Sequence, residues 1–217
     1  MSKLTSVSFP VFFIPFGEEK ITDYDFTKLR DDERWAPSTS QADRHNIGAP
    51  FYSNQIFRIL EDYPKLERKI MMKFYKYMNE LGISDQFQLT TSWLTNVGKG
   101  DSITGHSHKN CEFSGILYFD KQENYDNQPP LTFENPLRRM TMYQTSSTAV
   151  VNGYQADWSR SPEEGLILFW PAYISHSCEA KTEKWSDKNR RSLAFNFSPT
   201  GFYGTADSTM DVRWLSS

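Results

Sequence analysis

The spacing of apolar residues changes near residue 83 and divides the chain into a helical part and a β part. Between Ser53 and Gly82 apolar side chains recur every three or four residues, with lysines on the opposite side. Ser53 suits an N-cap, Pro64 suits a first helical turn, and Gly82 suits a helix end. The apolar face consists of Leu66, Ile70, Phe74, Met78 and Leu81. This pattern predicts a helix that covers one side of a sheet.

Beyond Gly82 the pattern is that of short strands. In the first of them, Phe87, Leu89, Thr91 and Trp93 alternate with a more polar set, as in a half-buried strand. Turn residues separate the further candidates, which are Glu112–Asp120, Leu131–Phe133, Gly165–Phe169, Ser175–Glu179 and Arg190–Phe197. Residues 1–22 are also predicted to be extended, and 137–163 to form an extra hairpin or a lid. Helices followed by many strands indicate an α+β protein with a β-sandwich or barrel as its main body.

Composition narrows the class of protein. The 217 residues carry a net charge of −3, which lacks the basic excess of a nucleic-acid-binding protein. Cys111 and Cys178 do not make a disulfide framework, and no apolar run is long enough to span a membrane. The run from Phe9 to Phe16 contains Pro10 and Pro15 and lacks a following cleavage site, so it is not interpreted as a signal peptide. We therefore expect a soluble, cytoplasmic, single-domain protein.

The candidate chemistry lies in the histidines. The chain has four, and His45 falls in a polar segment that predicts a loop residue. His106 and His108 are two residues apart, so in an extended chain their imidazoles point to the same side. His176 ends an apolar run much later in the chain, and only folding can bring it near the pair. A transition metal needs this kind of convergence, although H-x-H also occurs on surfaces and a single histidine also occurs in cores.

A polar turn follows His176 and leads into the last predicted strand. By strand alternation Arg190 and Ser192 share one face of this strand, and Arg191 takes the other face. A slip of one residue in register would exchange the two arginines, so Arg191 stays an alternative to Arg190 as an anion-binding residue. Arg-x-Ser by itself is a common and unspecific pattern.

Taken in order, these motifs resemble the Fe(II)- and 2-oxoglutarate-dependent dioxygenases, and more narrowly an uncharacterised branch of 2OG-Fe(II) oxygenases found in bacteria and phages. The resemblance covers about residues 87–198. It rests on Trp93 and Asn96, Gly98 and Gly100, His106 and His108, Ser114-Gly115-Ile116-Leu117-Tyr118, Phe169-Trp170-Pro171, His176, and Arg190-Arg191-Ser192-Leu193-Ala194-Phe195-Asn196.

The resemblance implies a double-stranded β-helix (jelly-roll) core flanked by N-terminal helices. It divides the single domain into an N-terminal strand and helical flank (1–86), the jelly-roll core (87–198) and a C-terminal tail (199–217). It also implies Fe(II) held by His106, His108 and His176, with 2-oxoglutarate as co-substrate. The carboxylate of 2-oxoglutarate would be bound by Arg190 and Ser192, with Tyr118 either reaching it or packing in the wall.

His108 stands where the wider superfamily has a carboxylate ligand. Three arrangements follow from this departure. His108 is a third ligand, a carboxylate from Glu112, Asp101 or Glu134 completes the set, or His106 and His176 bind the metal alone. Cys111 is interpreted as a buried thiol, and Trp93 and Phe195 as core residues. Asn96 and Asn196 are interpreted either as supports for the site or as groups that cap the backbone.

The leading functional hypothesis is a dioxygenase that hydroxylates a substrate which the sequence does not identify, with 2-oxoglutarate converted to succinate. A cupin-like metalloenzyme with three histidines and no 2-oxoacid is the second hypothesis. A jelly-roll that only binds or builds structure is the third. The Arg-x-Ser after His176 favours the first, and H-x-H in place of a carboxylate favours the others. Exposed edge strands make a homodimer plausible.

Overall fold

The computed structural model describes residues 14–32, 51–52, 58–98, 102–136, 157–179 and 185–212, and in these ranges the chain is mainly antiparallel β-structure. The strands are β1 (Gly17–Lys20), β2 (Phe51–Tyr52), β3 (Phe87–Val97), β4 (Ser102–His106), β5 (Phe113–Leu117), β6 (Leu131–Glu134), β7 (Asp157–Arg160), β8 (Leu166–Pro171), β9 (His176–Glu179), β10 (Arg190–Pro199), β11 (Phe202–Tyr203) and β12 (Met210–Asp211). The α-helices are α1 (Thr27–Arg30), α2 (Pro64–Glu80) and α3 (Gln122–Tyr125).

Two sheets form the core of the fold. The larger has six strands in the order β1-β8-β5-β10-β3-β2, and the smaller has four in the order β4-β9-β6-β7. Neighbouring strands in both sheets are antiparallel. Successive strands alternate between the two sheets from β3 to β6 and again from β7 to β10. A separate two-stranded ribbon joins β11 to β12. The predicted α+β class and the double-stranded β-helix core are confirmed.

Helix α2 covers the outer face of the larger sheet, as its spacing predicts. It begins at Pro64, which needs no backbone N–H there, and Gly82 follows its end with φ +72°. The Phe74 ring stacks on Phe197 with centroids 3.8 Å apart, and it meets the edge of Phe169 at 5.7 Å. Burying one such ring contributes roughly 1.5–3 kcal/mol, so this face fixes the helix on the sheet. The proposed N-cap Ser53 lies outside the described residues.

Gly115 shows how tightly the larger sheet is packed beneath this helix. A β-carbon at Gly115 would lie 2.2 Å from the ring of Phe195 and 2.8 Å from the backbone oxygen of Leu168. Real β-carbons do not approach that closely, so the Phe195 ring occupies the space that glycine leaves. The S-G-x-x-Y motif therefore has a packing reason for its glycine.

Strand alternation assigns the two faces of the larger sheet. Leu193, Phe195 and Phe197 of β10 pack in the cluster that contains helix α2. The alternate residues of β5 and β8 pack with Leu131 and Phe133 of β6, so they line the space between the two sheets. Arg190, Ser192 and Asn196 belong to the same inward-facing register on β10.

The half-buried alternation predicted for the first strand is wrong. In β3 the side chains of Ser92 and Leu94 are buried while Trp93 is only half-buried. The reason is that β3 is covered on its outer side as well, where the Ser92 hydroxyl accepts a hydrogen bond from the Leu60 N–H at 3.0 Å. The buried core position of Phe195 is confirmed. Trp93 is not a plain core residue.

The other predicted strands are all present within a few residues of their predicted bounds. Of the stretch 137–163, the structure describes only the part from 157 onward, where β7 pairs with β6. His45 and most of residues 1–22 lie outside the described residues. In the described part of the chain, no helix is both long enough and apolar enough to cross a membrane.

Candidate metal centre

Three histidines from different parts of the chain meet at one end of the space between the sheets. His106 is the last residue of β4, and it pairs with His176, the first residue of β9. His108 is not on the strand, because the chain leaves β4 after His106. A hydrogen bond from the His108 N–H to the Ala172 oxygen, at 3.0 Å, holds the loop beside the end of β8. Pairing and this loop contact, rather than strand alternation alone, bring the three side chains together.

The spacing of the imidazoles is that of a metal-binding group. The His106 ring centroid lies 4.4 Å from that of His176 and 5.3 Å from that of His108, and the His108–His176 separation is 5.0 Å. One nitrogen from each ring lies within 4.8 Å of the other two. His176 is buried and the other two are half-buried, so one side of the group faces the open end of the fold. A single ion between them would need only small side-chain movements.

Hydrogen bonds decide which nitrogen of each ring is available. Nδ1 of His106 lies 2.9 Å from the Thr104 backbone oxygen, and Nδ1 of His176 lies 3.1 Å from that of Ile174. A carbonyl oxygen only accepts hydrogen bonds, so Nδ1 carries the proton in both rings. Each ring is thereby left with an unprotonated Nε2. This is the tautomer that metal-bound histidines adopt when their other nitrogen donates to oxygen.

Asn196 holds His108 in the same tautomer. Its Oδ1 accepts from Nδ1 of His108 at 2.7 Å and from the Ser114 hydroxyl at 2.8 Å. Its Nδ2 donates to Thr91 Oγ1 at 3.0 Å, which fixes the orientation of the amide. The three neighbouring strands β3, β5 and β10 therefore support one loop histidine. All three imidazoles present Nε2 to the centre of the group.

Burial keeps the buried imidazoles neutral. Together with the adjacent His106 and His108, it lowers the pKa of His176 to about 3, although the hydrogen bond to Ile174 acts in the opposite direction. Burial is also the largest cause of the lowered pKa of His108, although its hydrogen bond to Asn196 acts in the opposite direction. Because the neutral ring is the form that binds metal, these surroundings favour ligation over protonation.

No carboxylate among the described residues joins the three nitrogens. Glu112 is exposed, and Glu134 is exposed on β6, where it borders a cavity of about 150 Å³ that also touches His176. Asp101 lies outside the described residues. Cys111 is half-buried and likewise lies outside the group, and burial raises its pKa, which disfavours a thiolate. The described donor set is three neutral imidazoles.

Arg190 is buried in the same interior, at the other end of the inward-facing row of β10. Its side chain has no solvent exposure, and neither Nε nor Nη1 has a hydrogen-bond partner in the structure. Its Nη2 donates to the hydroxyl of Tyr118, and its Cζ lies 4.8 Å from the centre of that ring. Burial raises the pKa of Tyr118 to about 12, so its hydroxyl keeps its proton. A guanidinium with unused donors inside a protein fits an anionic ligand.

Arg191 points to the opposite face and has a structural role. It forms a two-bond pair with the buried carboxylate of Asp120 and donates to the backbone oxygen of Arg30 at 2.9 Å. Arg190 is thus the arginine that faces the interior. Ser192 shares the inward face and is buried, and its hydroxyl lies 2.5 Å from the hydroxyl of Thr95.

The sequence motifs pointed to the histidines but not to the side chains that orient them. Of the two asparagines in the motifs, Asn196 contacts His108, whereas Asn96 pairs with Arg191 in the register of the opposite face. In the sequence, Ser114 is only part of a motif and Thr91 only a residue of a predicted strand. Strand alternation from Arg190 to Asn196 was the available signal for Asn196. Nothing in the sequence pairs Thr91 or Ser114 with it.

Replacing Asn196 by leucine is expected to weaken Mn(II) binding about 10- to 100-fold, the usual cost of losing the partner of a ligand histidine. Asn196→Asp keeps an acceptor for Nδ1 and is expected to retain wild-type affinity. Asn96→Ala, on the opposite face of the sheet, is the control and should leave the affinity unchanged. Competition with a coloured chelator measures all four dissociation constants. Equal affinity in wild type and Asn196→Leu would show that this hydrogen bond does not support metal binding.

Comparisons with known proteins agree with this geometry. Residues 91–196 match a family model described as "Putative 2OG-Fe(II) oxygenase". No curated protein matches the sequence. A Pseudomonas putida prolyl-4-hydroxylase has a similar crystal structure, with 10% identity, a TM-score of 0.52, and coverage of 84% of this chain and 92% of that chain. This likeness supports the fold.

Two further solved structures are more distantly similar. HygX from Streptomyces hygroscopicus, crystallised with iron bound, has 12% identity, a TM-score of 0.48, and coverage of 87% of this chain and 84% of that chain. An oxidoreductase of the 2OG-Fe(II) oxygenase family from Burkholderia pseudomallei has 12% identity and a TM-score of 0.42. In that comparison the match covers 56% of this chain and spans 50% of the Burkholderia protein. The segment matched by the family model, just under half of the chain, contains all three clustered histidines together with Arg190 and Ser192.

Proposed function

We propose that the chain is an Fe(II)- and 2-oxoglutarate-dependent dioxygenase that hydroxylates its substrate. With both groups bound, such a site uses O2 to convert 2-oxoglutarate to succinate and CO2 and places the second oxygen atom in a C–H bond of the substrate. His106, His108 and His176 would hold the metal through Nε2. Arg190 would bind the carboxylate of 2-oxoglutarate that lies farther from the metal, with Tyr118 and Ser192 beside it.

The buried guanidinium of Arg190 is the observation that carries this proposal. A fully buried charge with two unpartnered nitrogens is costly, and the described interior supplies it only with the neutral hydroxyl of Tyr118. A carboxylate is the planar acceptor that matches a guanidinium. Arg190 shares a face of β10 with Asn196, which holds His108, so the anion site and the metal site open into one space. A small molecule that binds the metal at one end and carries a carboxylate at the other end would occupy both the metal site and the anion site.

The donor set favours a second candidate, a cupin-like metalloenzyme with three histidines and no 2-oxoacid. Three neutral imidazoles leave the full charge of a divalent ion uncompensated, unlike a set with one carboxylate. This candidate predicts metal binding that is independent of 2-oxoglutarate. It also leaves the unpartnered donors of Arg190 without a ligand, which is why the dioxygenase is the stronger proposal.

Adding 2-oxoglutarate to the anaerobic Fe(II) protein is expected to produce the weak visible charge-transfer band of a chelated 2-oxoacid. His176→Ala should abolish the band, because it removes one of three ligands from a site that has no carboxylate. His45→Ala, which replaces the fourth histidine of the sequence, is the matched control and should keep the band. Exposure to O2 should then yield succinate in the wild type and the control alone.

Three results would contradict the proposal. Wild-type protein that binds Fe(II) but shows neither a band nor succinate would favour the cupin-like enzyme. A band of full intensity in His176→Ala would mean that the metal lies elsewhere. Metal binding below stoichiometric level in wild type would favour a jelly-roll without catalysis.

The setting of the enzyme is inferred from the sequence. We infer a cytoplasmic protein, because neither Cys111 nor Cys178 forms a disulfide and the oxygenase site needs reduced iron. The sequence also resembles a branch of oxygenases found in bacteria and phages, and this supports a bacterial or phage origin. A homodimer through exposed strand edges stays a prediction, which light scattering would check. The substrate class, a small molecule or a protein side chain, is left to experiment.

A further inference from the structure

A second buried donor without a partner lies at the metal end of the interior. Nε1 of Trp170 is inaccessible to solvent and has no hydrogen-bond partner in the structure, and the whole side chain is only 2% exposed. Buried indoles usually find an acceptor, and an unpaired buried N–H costs about as much as a lost hydrogen bond. The proposed function as stated above gives this buried N–H no role.

The position of Trp170 places it beside the three histidines. On β8 it is the direct strand partner of Ser114, whose hydroxyl contacts both His108 and Asn196. The Trp170 ring lies 5.1 Å from that of His176 at an angle of 66°, and it packs in the cluster that lines the space between the sheets. Trp170 is thus on the inner face, level with the metal group.

Trp170 and Arg190 mark opposite ends of one space. Tyr118, which contacts Arg190, directly follows β5 and is four residues beyond Ser114, or roughly 13 Å of extended chain. The Arg190 and Tyr118 side chains close part of this distance. At both ends the unpartnered atoms are donors, and the residues of the cluster between them are hydrophobic. A short dicarboxylate supplies acceptors at both ends.

We propose that the indole N–H of Trp170 binds the carboxylate of the 2-oxoacid that lies next to the metal. The proposal rests on the proposed function and adds a positioning residue to it. Arg190 selects a ligand with a distal carboxylate, and Trp170 orients the carboxylate that chelates the metal. Each of the two carboxylates of 2-oxoglutarate would then accept a hydrogen bond from its own donor, Trp170 at the metal end and Arg190 at the other.

Trp170→Phe tests this directly, because it removes the N–H and keeps an aromatic ring. Mn(II)-loaded protein is titrated with 2-oxoglutarate and with oxalate, which reproduces only the metal-binding end, using calorimetry. Trp170→Phe is expected to weaken both ligands roughly 10- to 100-fold, the effect of one hydrogen bond to a charged group. Arg190→Met is expected to weaken 2-oxoglutarate alone. Trp158→Phe, a neighbouring indole on β7 that stacks on Phe133, is the matched control and should bind both ligands normally.

A thermal melt of the protein without ligand separates binding from folding. Because the indole N–H has no partner among the described residues, Trp170→Phe breaks no hydrogen bond of the ligand-free protein, and the smaller ring should lower the melting temperature by only a few degrees. The variant should also lose most of the stabilisation that 2-oxoglutarate adds. Equal affinity for both ligands in wild type and Trp170→Phe would overturn the inference while leaving the proposed function intact. Failure of wild type to bind 2-oxoglutarate would overturn the proposed function itself.

Discussion

Arg190→Met is expected to weaken 2-oxoglutarate binding a hundredfold or more while Mn(II) binding stays at the wild-type level. Truncating one side of a buried, hydrogen-bonded charge pair costs about 2–5 kcal/mol, and each 1.4 kcal/mol is a factor of ten. Methionine fills a similar volume without donors. The metal is unaffected because Arg190 lies at the far end of the inner row of β10, beyond Ser192 and Ala194. Calorimetric titration of the Mn(II)-loaded variant measures both constants.

The same substitution is expected to leave the ligand-free protein as stable as wild type, or more stable. Arg190 is buried with two unpartnered nitrogens, and replacing an uncompensated buried charge by an apolar side chain is neutral or stabilises by about 1–4 kcal/mol. Arg191→Met is the matched control on the opposite face. It removes the ion-pair partner of the buried Asp120 carboxylate and should destabilise the folded protein by roughly 3–5 kcal/mol. Urea denaturation measures both differences.

These two neighbours therefore have opposite expected phenotypes. Arg190 has a binding phenotype with little effect on unfolding, and Arg191 has an unfolding phenotype with little effect on binding in the folded protein. If Arg190→Met instead unfolds readily and the folded fraction still binds 2-oxoglutarate, the guanidinium serves the fold. In that case another group would bind the distal carboxylate of 2-oxoglutarate, and Arg190 would no longer support the proposed function.

Periodicity predicts much of this molecule because burial of apolar surface sets both the helix and the strands. The face of α2 follows from its apolar spacing, and the inward direction of Arg190 and Ser192 follows from strand alternation. Strand register shows which residues lie opposite one another, and no single motif contains that information. A register shift between Ile103 and His106, where β4 pairs with β9, places His106 opposite His176. The order of the motifs predicted the fold, and strand pairing explains how the separate motifs come together in one site.

Other features depend on contacts that no local pattern encodes. Ser92 looks like an exposed position in an alternating strand, yet it is buried because it binds the backbone of Leu60, far away in the chain. His108 lies beyond its strand, and its orientation comes from Asn196, which is 88 residues later. Such long-range hydrogen bonds satisfy buried polar groups, and only the folded arrangement shows which groups need a partner. For this reason the sequence alone does not identify the residues that support the site.

His108→Glu is expected to bind Mn(II) and Fe(II) roughly tenfold or more tightly than wild type. Glutamate places an oxygen about as far from the backbone as Nε2 of histidine. A carboxylate adds a negative charge to a donor set that has none, and these ions favour oxygen ligands. His108→Gln is the matched control, because it has the same length without the charge. It should bind more weakly than wild type, since an amide oxygen is a poorer ligand than imidazole.

The charge of the donor set also predicts how the metal and the co-substrate influence each other. With three neutral imidazoles the ion keeps its full double charge for the 2-oxoglutarate dianion, whereas the glutamate of His108→Glu offsets part of it. We therefore expect this variant to bind 2-oxoglutarate more weakly while binding the metal more tightly. In wild type, bound metal should strongly increase the affinity for 2-oxoglutarate, and bound 2-oxoglutarate should equally increase the affinity for the metal. Titrating Mn(II) with and without 2-oxoglutarate measures this coupling. Wild-type affinity in His108→Gln would show that His108 is not a ligand and that His106 and His176 hold the metal without it.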